Sequence, residues 1–132
     1  MSKRKSQIEH DHLVEMLGNS LYAHNRNPKV EDLSDIRADV DGFKRPDKLT
    51  LAEGEEGDTP DATAMGEQFL IYEVETPDSI AHEHTEKQWK LFAKYAEENN
   101  GVFTLGVPPM AMGDARRRLK ELSITAKVIP LP

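Results

Sequence analysis

Apolar residues recur at three- and four-residue steps between Gln7 and His24, where Ile8, Leu13, Met16, Leu17 and Leu21 trace one face of an amphipathic helix. The segment His24 to Pro28 then breaks the helix, because asparagine tolerates left-handed turns and proline disfavours helix just before it. Ile36, Ala38 and Val40 alternate with Arg37 and Asp39, which predicts a half-buried strand closing at the turn Asp41-Gly42. Phe43 to Leu51 continues extended, interrupted by Pro46. Asp61 to Ala64 predicts a short strand, and Gly66-Glu67 a hairpin turn into a strand over Gln68 to Glu75. On that strand Phe69, Ile71 and Glu73 face one way and Leu70, Tyr72 and Val74 the other, so apolar residues on both faces predict a central strand.

Thr85 and Gln88 have the spacing of a capping box ahead of a helix bearing Trp89, Phe92, Tyr95 and Ala96, which Asn99, Asn100 and Gly101 close. Val102 to Val107 reads as another strand, Asp114 to Leu122 as a short helix and Ala126 to Ile129 as a last strand. The expected order is a helix, a meander of about three strands, then helix, strand, helix, strand. This is a mixed α/β plan in which a helical crossover makes at least one strand pair parallel.

The length of 132 residues suits a single domain. No apolar run approaches the roughly 18 residues that span a bilayer, so no membrane partner is expected. The basic start at residues 1–6 lacks the apolar stretch of a signal peptide and reads as a flexible end. The absence of cysteine excludes disulfides and thiolate metal sites and fits a reducing interior, so the chain reads as cytoplasmic. The formal charge of −7 opposes non-specific attraction to a polyanion. Much of the excess acid lies in Glu53 to Asp58, within an exposed loop expected over 52–59. Lys44, Arg45, Arg116 and Arg117 are the candidates for phosphate contact.

Two acids carry the candidate chemistry. Neighbouring strands joined by a tight turn bring Asp61, at the start of one, beside Glu73, near the end of the next, with Glu75 two positions on. Hard divalent ions take oxygen ligands, and Mg2+ uses one or two carboxylates with water and phosphate oxygens. The alternative is that these acids are solvated strand ends. His10 and His12, and likewise His82 and His84, are spaced to share a face of an extended segment, but neither set has a further zinc ligand at a recognisable spacing.

The runs PDATA from Pro60, IYEVET from Ile71 and EKQWKLFAKYA from Glu86, in this order of elements, resemble the PD-(D/E)XK nuclease superfamily. That resemblance covers most of the chain and implies a restriction-endonuclease-like αβββαβ core with an additional C-terminal helix and strand. It matches Asp61 and Glu73 to the family's metal-binding acids and implies a further ligand in the Val74 carbonyl, with Mg2+ or Mn2+ as cofactor. Glu9 is the candidate for an acid donated by the first helix, since it falls nearer the apolar stripe than Glu15.

Glu75 stands where the family has lysine. A carboxylate there can act as an extra ligand or general base; alternatively Lys87 or Lys90 supplies the amine, or the domain only binds. Gln88 with Phe92 resembles the glutamine element of exonuclease-like members, although a cap and a core position explain both residues. The expected function is metal-dependent hydrolysis of phosphodiester bonds, with DNA the first candidate substrate, RNA the second, and a homodimer compatible with both. A non-catalytic adaptor of the same fold is the alternative.

Overall fold

The computed structural model describes residues 5–24 and 32–132. Residues 1–4 of the basic start and the helix break expected at Asn25 to Pro28 lie outside the described residues. Helix α1 (Lys5–His24) is followed by strands β1 (Ser34–Ala38), β2 (Ala62–Met65) and β3 (Phe69–Val74), helix α2 (Glu83–Glu98), strand β4 (Gly101–Val107), helix α3 (Met112–Glu121) and strand β5 (Lys127–Pro130). The strands form one sheet in sequence order. β1, β2 and β3 pair antiparallel, whereas β4 lies parallel to both β3 and β5. The mixed α/β class expected from the sequence is therefore the one observed.

Strand alternation divides the apolar residues between two cores. On one face Leu13, Val14, Leu17 and Leu21 of α1 cover Ile36, Ala38, Ala62, Ala64 and Val74. On the other, Trp89 and Phe92 of α2 and Leu119 of α3 cover Ile71, Phe103, Leu105 and Val107. β3 is central, and its residues face as their alternation requires, with Ile71 in the α2 core and Val74 in the α1 core. Small side chains at Ala62 and Ala64, both fully buried, let α1 approach β2 closely. Gly18 lets α1 approach the segment after β1: a Cβ there would lie 2.7 Å from the Phe43 ring.

Most boundaries shift by one or two residues from expectation, and two of the differences have clear local reasons. β1 ends at Ala38, short of Val40, because the Ala38 amide turns to the Lys44 carbonyl at 3.0 Å and the Asp39 amide to the Asp61 carbonyl at 2.8 Å. α2 begins at Glu83, ahead of the expected cap; its N-cap is His82, which makes no side-chain cap bond, and Thr85 is buried inside the first turn. The turn at Gly66 forms as expected, with its amide bonded to the Gln68 carbonyl at 3.0 Å.

Phe92 is fully buried between α2 and the sheet, its ring centroid 6.1 Å from that of Phe103. Phe92→Ala is expected to lower stability by about 3–5 kcal/mol through lost transfer energy and a residual cavity. Urea denaturation followed by far-UV circular dichroism measures this.

Candidate functional site

β3 pairs antiparallel with β2 on one side and parallel with β4 on the other. Beyond Val74 the chain keeps its partnership with β4, the Glu75 amide bonding the Gly106 carbonyl at 3.0 Å. β2 begins only at Ala62, opposite Tyr72. Asp61 and Glu73 therefore meet at the mouth of the β2–β3 pair. The Asp61 amide donates to Glu73 Oε1 at 3.0 Å, and the Val74 amide donates to Asp61 Oδ2 at 2.7 Å. Asp61, Glu73 and Val74 are thus brought together, with Val74 contributing its amide.

Glu73 and Glu75 are 3% and 4% exposed, an unusual depth for carboxylates. Both Glu75 oxygens are engaged: the Trp89 indole N–H donates to Oε2 and the Ser79 hydroxyl to Oε1, each at 3.3 Å. Burial, then the neighbouring Asp61 charge, pushes the Glu75 carboxyl up to about 7, against the opposing effect of the Trp89 bond. Burial likewise raises Glu73 well above the ordinary carboxylate range, helped by the charges of Asp61 and Glu75. A smaller contribution to Glu73 comes from outside this trio, from the charge of Asp58 at the end of the acidic loop. Leu49 and Asp58 exchange backbone hydrogen bonds at 2.8 and 3.1 Å to close that loop.

His10 is the cation at the site. Its Nε2 lies 3.2 Å from Asp61 Oδ2, and this hydrogen bond, with the Asp61 charge, raises the imidazole to about 9 despite partial burial. His10 is therefore protonated at neutral pH. It lies on the buried side of α1, since Leu13, Val14 and Leu17, all packed in the α1 core, follow it at the i+3, i+4 and i+7 steps of a single helical face. Glu9, the acid expected from α1, is rotated about 100° off that face and is exposed. Including Met16 in the apolar face pulls its apparent centre toward Glu9; Met16 is half-buried, and Val14 is fully buried.

The remaining candidates lie around this cluster without joining it. Gln88 Nε2 bonds Asp58 Oδ2 at 2.9 Å, so it anchors the acidic loop rather than capping α2. Lys90 is 57% exposed and pairs with Glu86 at 3.8 Å. Among the described residues no lysine or arginine pairs with Asp61, Glu73 or Glu75. Arg45 pairs with Asp39 at 3.4 Å and lines an open cleft of about 680 Å³ beside α1, which Asp11, Glu15 and Asp41 make acidic. Lys44 pairs with Asp35, and Arg117 with Asp114 on α3, while Arg116 is exposed on the same helix. His12, His82 and His84 are exposed.

A divalent cation can be tested against the free acceptors. Among the described residues, Asp61 Oδ1 and Glu73 Oε2 carry no hydrogen bond, whereas both Glu75 oxygens do. No group of three or more His, Asp or Glu side chains among the described residues is arranged to hold a metal ion. One or two carboxylates suffice for Mg2+, which keeps most of its water, and two open carboxylate oxygens fit that requirement. Among the described residues no helix is long and apolar enough to cross a membrane. No family model, curated protein or solved structure matches the chain.

Glu75 and His10, both raised, act on stability with the same sign. Glu75 has a higher pKa folded than unfolded, so its contribution is complete below about 4.5, falls as pH rises toward 7, and is then a constant penalty. Glu75→Gln keeps acceptor and donor for Trp89 and Ser79, and is expected to stabilise the fold by roughly 1–3 kcal/mol at pH 8 and by little at pH 4.5. His10, also raised, stabilises most below about pH 6.5 and loses that contribution as pH rises through 9. His10→Gln is therefore expected to cost stability at pH 6 and nearly nothing at pH 10. Urea titrations across this range measure both differences.

Proposed function

We propose that the chain is a PD-(D/E)XK-type nuclease domain that hydrolyses phosphodiester bonds with Mg2+ or Mn2+. One observation carries the reading: Asp61, Glu73 and Glu75 converge at one strand junction, two of them almost wholly buried, with His10 the only cation paired with them among the described residues. Like charges held together out of water are costly unless a cation compensates them. Asp61 and Glu73 would hold the cation through their open oxygens. When bound, it would polarise a phosphate oxygen and acidify a water.

The chain's own groups divide the remaining work. Glu75 takes the proton from the attacking water; each of its oxygens accepts one hydrogen bond and retains a lone pair. Its pKa of about 7 matches proton transfer near neutral pH. Trp89 and Ser79 fix the direction of that carboxyl. His10 holds Asp61 in place and balances its charge. The fit of Glu75 to proton transfer supports activity without the lysine usual in this family. A second reading, a binding domain of the same fold, is favoured by one observation: among the described residues no lysine reaches the cluster.

Trp89 is the single tryptophan of the chain and touches Glu75, so its fluorescence reports on the site. Mn2+ is expected to change that emission saturably and to support cleavage of labelled single- or double-stranded DNA or RNA. Asp61→Asn and Glu73→Gln should each weaken Mn2+ binding at least about tenfold and abolish cleavage. Unchanged cation binding and cleavage in both variants would exclude the site. Cation binding without cleavage of any of the four substrates would leave the binding domain.

A further inference from the structure

A second concavity lies away from the carboxylates, between the C-terminal half of α2 and the turn joining α3 to β5. It is an open groove of about 710 Å³, within the range of about 300–1,000 Å³ for sites that enclose a compact ligand or a few side chains. Its floor is apolar, with Ala93, Phe103, Leu122 and Ile124 among the residues lining it. Its rim carries Lys90, Lys94 and Lys127 against the single acid Glu97. A locally positive, apolar groove stands out on a chain whose net charge is −7.

The walls are fixed by backbone geometry. Ser123, at φ 56°, sits in the left-handed region, pinned by its amide to the Lys120 carbonyl at 3.1 Å and by the Ile124 amide to the Leu119 carbonyl at 2.9 Å. Asn100, at φ 52°, makes the corresponding turn before β4 and receives the Gln68 side chain. A groove built this way loses little conformational freedom when filled. Among the described residues Lys90 and Lys94 pair only along their own helix, with Glu86 and Glu98, at 3.8 Å each. Such exposed pairs are weak and exchange readily for a better acceptor. Lys127 makes no ion pair among the described residues.

We propose that this groove docks a short segment of a partner protein in which acidic residues flank leucine-like side chains. Charge complementarity selects that occupant: the apolar side chains cover the floor and the carboxylates meet the three lysines. The proposal does not use the carboxylate cluster and stands apart from the nuclease reading.

Fluorescence anisotropy of labelled peptides with the full chain tests it. The probe is a peptide of leucine, aspartate and glutamate, compared with a counterpart bearing lysine in place of each acid. The acidic peptide should bind saturably, at least about tenfold tighter than its counterpart, and weaken with salt. Lys94→Gln/Lys127→Gln should reduce its affinity at least about fivefold, and Lys127→Gln alone should reduce it measurably. Lys44→Gln, remote from the groove, and Asp61→Asn should each leave it within about twofold. Equal binding of the two peptides, or no loss in the double variant, would overturn the proposal. So would binding of a single-stranded oligonucleotide in place of the peptide, with loss in the double variant, since that would make the groove a nucleic-acid face.

Discussion

The parallel pairing of β3 with β4 is the constraint on which the rest of this molecule depends. Parallel neighbours cannot be joined by a hairpin, so the chain crosses over the sheet through α2. That crossover lays Trp89 and Phe92 over the face of β3 that carries Ile71 and Glu73 and, just beyond the strand, Glu75. On its other edge β3 pairs antiparallel with β2, which begins opposite Tyr72. A strand with partners of opposite sense thus leaves a junction where the Asp61 amide donates to Glu73 Oε1 at 3.0 Å and the Val74 amide to Asp61 Oδ2 at 2.7 Å instead of continuing the ladder.

Charge at that junction is unbalanced by construction. Three carboxylates share it, and among the described residues one protonated imidazole answers them. Glu73 and Glu75 are consequently pushed toward their neutral forms, Glu73 chiefly by burial and Glu75 by burial against the pull of Trp89 and Ser79. A fold selected only for stability would place apolar residues at these positions, because burying unpaired carboxylates is costly. The retained acids, each held by a named hydrogen bond, are the physical reason for reading the junction as a place where a cation or a proton is handled.

Much of the fold was legible in the chain. The buried face of α2 and the two-sided apolar pattern of β3 were set by periodicity, and β5 was recognisable despite its short length. The meeting of Asp61 with Glu73 followed from the Gly66 turn between their strands. Three features of the site were not readable in the same way. His10 required knowing that Val14, not Met16, fills the α1 core, a choice made by tertiary packing against Ala62 and Ala64. Gln88 looked like part of a cap because its spacing from Thr85 suits one, but α2 starts earlier and frees it for Asp58. The hold of Trp89 and Ser79 on Glu75 joins residues far apart in sequence, and the apolar pattern that places Trp89 in the core says nothing of where its N–H points.

Proton release on cation binding tests the charge balance most directly. Calorimetric titration of Mn2+ at pH 6, in buffers of differing ionisation enthalpy, counts the protons expelled when the ion meets the cluster. Because Glu73, Glu75 and His10 all hold protons there more firmly than their ordinary forms do, binding is expected to release about one proton per ion, a release lost in Glu73→Gln. Binding with no proton release at that pH, or the same release in the variant, would contradict a cation site built on these carboxylates.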